Sequence, residues 1–319
     1  MATQESKQSR LWPALPYAEW KDTCETLHLM TQVVGKVRLS LAPWLNHSWH
    51  ATLYVTPRGL TTSSIPCGSQ MLEMDFDFLE QVLEIRTSQP KLERIALQST
   101  SIAAFKTSVL EALERCGIDV KVSDVPNEIP GAIRFSQDTH PRIYDGAWAE
   151  RYWRALVSID RVFEEFRTGF LGKVSPVHLF WGSMDLAVTR FSGRRAPMHP
   201  GGMPGLPDSV TREAYSHEVS SAGFWPGDAG HDASFYSYSY PAAPEYGRAS
   251  VWPHAAYFDP QLNEFLLSYD AVRTAGDPRK VLLGFLESTY LAAATTGSWD
   301  RELECHFGRP GVVRQAFAT

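Results

Sequence analysis

The stretch 147–171 carries apolar side chains at Tyr152, Leu156, Ile159, Phe163, Phe166 and Phe170, in steps of 4, 3, 4, 3 and 4. That is the period of one face of a helix, and a face this long and this aromatic must be buried against another layer. Three more segments repeat the pattern. In 17–34 the stripe is Trp20, Cys24, Leu27, Thr31 and Val34, behind a Leu15-Pro16 start; in 101–116 it is Ile102, Phe105, Val109 and Leu113, opened by Ser101 and closed by Gly117. In 277–296, Asp277 and Pro278 open a helix whose inward side is Val281, Leu282, Phe285, Leu286 and Ala293.

Between these helices the period falls to two. Residues 36–41 and 48–56 alternate apolar and polar, and 70–76, 80–87, 94–98, 118–122, 176–181, 184–191, 212–222, 233–240 and 263–269 are further strands by the same test. Strands interleaved with long amphipathic helices, without a regular βαβ alternation, predict an α+β fold with antiparallel sheets packed against the helices. The order of elements occurs twice, which predicts two related halves: 1–125, and 147–319 carrying the site, joined by a linker at 126–146. Gly35-Lys36-Val37 aligns with Gly172-Lys173-Val174, and Trp44 with Trp181. One continuous sheet drawn from both halves fits the pattern as well.

Composition narrows the function classes. Of 319 residues, 44% are hydrophobic and 21% charged, and the net charge of −6 opposes a nucleic-acid surface. Met1 to Arg10 is polar with no apolar core of a signal peptide, no apolar run reaches the length of a membrane span, and the four cysteines form no C-x-x-C pair. These features predict a cytoplasmic protein with reduced thiols. Phosphate-binding loops, zincin helices, nucleophile elbows and dinucleotide fingerprints are absent, so no nucleotide cofactor is expected.

What remains is a site assembled from distant positions in the second half. In 212–222 an extended chain would put Glu213, Tyr215, His217 and Ser221 on one face, more polarity than a core tolerates. A glutamate beside an imidazole sets its tautomer and basicity, so His217 is the candidate acid or base, Glu213 its orienting carboxylate, and Tyr215 a hydrogen-bond donor. A solvated edge strand is the competing interpretation of the same residues. Segment 193–208 packs four glycines and four prolines around Arg194, Arg195 and His199, the composition of a lid loop. Arg58, Arg190, Arg194 and Arg195 could hold a carboxylate or phosphate, and Trp181, Tyr236 and Tyr238 could wall the pocket. A second reading takes His28, His178 and His217 as ligands to one divalent metal such as zinc or non-haem iron. The leading expectation is an enzyme acting on a small anionic metabolite; a non-catalytic binding protein uses the same cavity without turnover.

Segments 27–41 (LHLMTQVVGKVRLSL), 53–62 (LYVTPRGLTT), 178–197 and 213–227 (EAYSHEVSSAGFWPG) resemble a bacterial family described only as a domain of unknown function. The resemblance runs nearly the whole length of the chain. It implies one continuous unit and supplies no activity, cofactor or catalytic residue.

Overall fold

The structure is a computed structural model that describes residues 10–305. It is α+β, with two antiparallel sheets and six helices among the described residues. Helix α1 (Tyr17–Leu41) leads into the first sheet, formed by β1 (Tyr54–Val55), β2 (Gly59–Thr61), β3 (Ile65–Cys67), β4 (Gln70–Asp77), β5 (Val82–Thr87) and β6 (Leu92–Ala96), followed by α2 (Ile102–Arg115). After α3 (Gly146–Arg167) come β7 (His178–Phe180), β8 (Asp185–Arg195), α4 (Asp208–Ala214), β9 (His217–Asp228) and β10 (His231–Tyr240). The chain then adds β11 (Tyr257–Asp259), β12 (Glu264–Ser268), α5 (Tyr269–Arg273) and α6 (Pro278–Thr296). Strand order is β1-β2-β4-β5-β6 in the first sheet, with β3 paired to β4, and β11-β12-β10-β9-β8-β7 in the second. The two sheets therefore do not share a strand order. The residues aligned between the halves differ in structure as well, Gly35 to Val37 being helical and Gly172 to Val174 not.

Several predicted elements change type. The predicted strand 36–41 is the last part of α1: Val33, Val34 and Val37 are spaced for a helix and all are fully buried, so packing overrides the short alternation. Of 48–56 only Tyr54 and Val55 are strand, because Asn46–Ser48 forms a 3-10 turn in which His47 and Ser48 both have φ 57°. No strand forms at 118–122. Residues 208–214 are helical, with Asp208 in the first turn behind Pro207, and the strand starts only at His217.

One apolar core runs from Trp12 to Trp299 and includes residues of both sheets and all the long helices. Ser101 and Asp277 cap as expected, accepting from the backbone N–H groups of Ala104 and Lys280 at the starts of α2 and α6, and Asp145 does the same for Ala147 at the start of α3. Helix α1 passes close to the turn before β8. Gly35 lies against the Trp181 ring, whose Nε1–H donates to the Ala51 carbonyl at 2.6 Å. A methyl at position 35 would collide with that ring.

Alanine is the better helix former by about 1 kcal/mol, while overpacking a core costs roughly 1–3 kcal/mol. Gly35→Ala is therefore expected to lose stability in urea melts, although a helix-propensity argument alone predicts a gain.

Candidate functional site

Register divides the second sheet into an apolar and a polar face. Leu186, Val188 and Arg190 of β8, Ala222 and Phe224 of β9, and Phe235 of β10 share the face that α3, α5 and α6 cover. The opposite face carries Asp185, Ala187, Thr189 and Phe191, then Val219, Ser221 and Gly223, then Tyr236, Tyr238 and Tyr240. Its floor is built of small side chains. Thr189 and Ser221 hydroxyls bond across the strands at 2.8 Å, and the Tyr236 phenol lies over Gly223, where any side chain would displace it.

One end of this face is acidic. Tyr236 donates its hydroxyl to Asp185, which also accepts from Ser183 Oγ. Burial raises the pKa of Asp185 against the opposing effect of those two bonds. Glu128 and Glu264 are both pushed up to about 7, first by burial, then by neighbouring carboxylates, Asp185 in each case and Asp259 also beside Glu264. Tyr215, immediately after α4, donates to the Tyr238 hydroxyl at 3.1 Å.

The other end is basic and is assembled from four separate segments. The His47 backbone N–H donates to Glu213 Oε2 at 2.6 Å, and its ring Nδ1 lies 3.2 Å from the Ala214 carbonyl. A carbonyl only accepts, so Nδ1 carries the proton and Nε2 is left as an acceptor. Lys173 Nζ donates to that Nε2 at 2.7 Å, and sits 5.1 Å from the Trp49 ring centre and 4.7 Å from that of Phe191. Burial, and then the Lys173 charge, bring the His47 pKa down to about 4, and burial lowers Lys173 too. The His217 ring stands edge-on to His47 at 6.2 Å, with Nδ1 3.1 Å from Ser216 Oγ; Arg195 is its partner across the sheet.

Segment 196–207 lies along the tyrosine wall. His199 stacks on Tyr215 with ring centres 4.7 Å apart, Tyr240 donates to the Pro197 carbonyl at 3.1 Å, and Asn127 Nδ2 donates to the Gly205 carbonyl at 3.3 Å. The loop is thus tied down at both ends of the polar face.

The expected site residues separate accordingly. His217, Glu213, Tyr215, Tyr236, Tyr238 and Arg195 meet at this face, but Glu213 binds His47 rather than orienting His217. Tyr215 leaves the strand because α4 precedes it. Arg190 is on the opposite face, 1% exposed, its guanidinium 3.5 Å from the Phe166 ring centre. Arg58 lies in the turn between β1 and β2 of the first sheet and pairs with Asp77 at 2.5 Å. Arg194 is engaged by Glu218 at 2.7 Å and by the Gly297 and Ser298 carbonyls at the end of α6. Trp181 is buried under α1. The three histidines of the metal reading do not converge: His28 bonds the Gly182 carbonyl at 2.8 Å, His178 lies among aromatic rings, and His217 faces His47. No group of three or more His, Cys, Asp or Glu among the described residues is placed to hold a metal ion.

Sequence reasoning missed Lys173 and the role of His47. Neither has a local signal, since one follows a helix end and the other sits in a turn 126 residues away. Asp185, directly before the apolar run 186–188, was the visible clue to the acidic end.

The chain belongs to the family of unknown function DUF5996, whose match spans residues 12–305. No curated protein and no solved structure matches it. No helix among the described residues is long and apolar enough to cross a membrane.

Raised carboxyl pKa values fix a pH dependence. The folded chain keeps Glu128 protonated up to about pH 7, whereas the unfolded chain releases that proton near 4.5. Folding then takes up a proton between those values, so this contribution to stability falls as pH rises through the window and levels off above it. Glu128→Gln is expected to be more stable than the parent at about pH 8, with the gap closing toward pH 4.5 in urea melts; a gap independent of pH contradicts the assignment.

Proposed function

We propose that the protein is an enzyme acting on a small anionic metabolite, with a carboxylate or phosphate held at Lys173 and Arg195 and a proton moved by His217. The observation that carries this reading is the meeting of His47, Lys173, Glu213 and His217 from three separate segments at one end of the polar face. An ammonium and a guanidinium supply the positive field for the anion. His47, neutral and locked in one tautomer, accepts from Lys173 and so directs its ammonium, while Glu213 anchors the left-handed turn that carries His47. Among the described residues the ring of His217 has no carboxylate partner, which leaves it able to exchange a proton with substrate. Tyr215, Tyr236 and Tyr238 then contact the remainder of the molecule along the groove. Hydrolysis, isomerisation and elimination all use this set. The four free cysteines, three of them buried, support a cytoplasmic setting, and the net charge of −6 supports a small-molecule partner over a nucleic acid.

The test is a mixture of small carboxylates and phosphate esters incubated with the protein and followed by mass spectrometry. Wild type should consume at least one anion; His217→Ala should slow its consumption by about a hundredfold or more, with affinity within roughly tenfold. Lys173→Met should raise KM by about tenfold to a hundredfold, the value of a charge-assisted hydrogen bond. Saturable binding without consumption would instead identify a binding protein, and neither binding nor consumption would end both readings.

A further inference from the structure

His178 has no place in the chemistry above, yet it is the most unusual polar group on the same face. It is 0% exposed, and neither ring nitrogen has a hydrogen-bond partner among the described residues. Protein interiors rarely leave an imidazole in that condition, because the neutral ring still carries one N–H donor and one acceptor. Burial pushes its pKa down to about 3, with Arg167 and Arg38 adding to the effect, so the ring is neutral at ordinary pH. Neither arginine can accept the N–H, and Arg38 directs its own donors to the His50 carbonyl and Ser63 Oγ.

The position of the ring is informative. Register pairs His178 with Ala187, so its side chain leaves the sheet on the polar side, level with Ala187 and Gly223, the smallest residues of the floor. Its ring contacts are Phe180 at 4.7 Å, Trp49 at 6.2 Å and Tyr54 at 6.4 Å, and all three of these rings are partly exposed. His178 therefore lies one side chain below the surface. Trp49 links it to the basic end, since the same indole lies beneath the Lys173 ammonium and against His47.

We infer that His178 is a specificity-determining residue at the base of an aromatic subsite, where its unpaired ring nitrogen binds an uncharged carbonyl or hydroxyl of the molecule whose anionic group sits at Lys173. The aromatic walls exclude a charged group, and a neutral imidazole can meet either an acceptor or a donor. For the identity of the anion this rests on the proposed function; the subsite itself rests on geometry.

The experiment has two arms. In the first, the ring signals of histidine-labelled protein are followed by nitrogen NMR while acetamide is added as a neutral carbonyl probe. A saturable shift of the His178 signal, absent from His178→Phe, is expected; no shift overturns the subsite whether or not the protein is an enzyme. In the second, His178→Phe keeps a ring in place. It should melt at or above the wild-type temperature, because an unpaired buried donor is removed, while KM for the consumed anion rises by at least fivefold with kcat within about twofold. His178→Gln should recover part of the KM. A clear fall in melting temperature for His178→Phe would show that the imidazole is satisfied within the fold and would overturn the inference, as would an unchanged KM. Failure of the proposed function would appear separately, as no consumption by wild type with the acetamide shift still present.

Discussion

Alternation along three neighbouring strands of the second sheet sends every other side chain toward a helical layer and the rest toward the opposite, polar face. In β10 the inward set is Ala233, Phe235, Ser237 and Ser239 and the outward set is Ser234, Tyr236, Tyr238 and Tyr240. A shift of one residue in pairing would bury the tyrosines against α6 and expose Phe235 and Phe224, so the apolar core holds the register in place. The site depends on that register. Asp185 meets Tyr236, and Thr189 meets Ser221, only because β8, β9 and β10 keep it.

Around this sheet, charged groups are sorted by what surrounds them. Arg190 is buried on the helical face, where Phe166, Phe170 and Tyr290 stack on its guanidinium. Lys173 stands on the polar side over Trp49 and Phe191, with an imidazole rather than a carboxylate as its nearest partner. The first cation is enclosed by three rings, while the second is directed by a single imidazole nitrogen. Residue type alone does not show that difference.

The two ends of the polar face carry different ionisable groups. Lys173 and Arg195 stand at one, with His217 beside them, while Asp185, Glu128 and Glu264 lie toward the other. Burial raises the pKa of Glu128 and Glu264 to about 7, and the nearby Asp185 carboxylate adds to the shift in both. Segment 196–207 spans the two ends through His199 and Gly205, so the loop is fastened to the tyrosine side and to the Asn127 segment.

Much of this architecture was legible in the linear chain. Four amphipathic stripes with their caps placed α1, α2, α3 and α6, because a period of 3.6 over four or more turns has no other explanation. The alternation in 233–240 put the three tyrosines on one face, and the polarity of 213–221 fell on the stretch that brings Glu213 to His47 and His217 to the polar face. Local pattern failed where it was short: 36–41 and 48–56 alternate over too few residues to resist the packing of α1 and the His47 turn. Arg190 and Trp181 looked available because sequence carries no information on which sheet face a helix will cover. Lys173, His47 and Glu128 acquire meaning only through contacts between distant segments, which the chain creates by folding and which no local spacing encodes. By itself the sequence determined the helices, the strand faces and the chemical types near the site. Tertiary structure alone decided which of those groups meet, because pairing register and helix coverage are properties of the whole core.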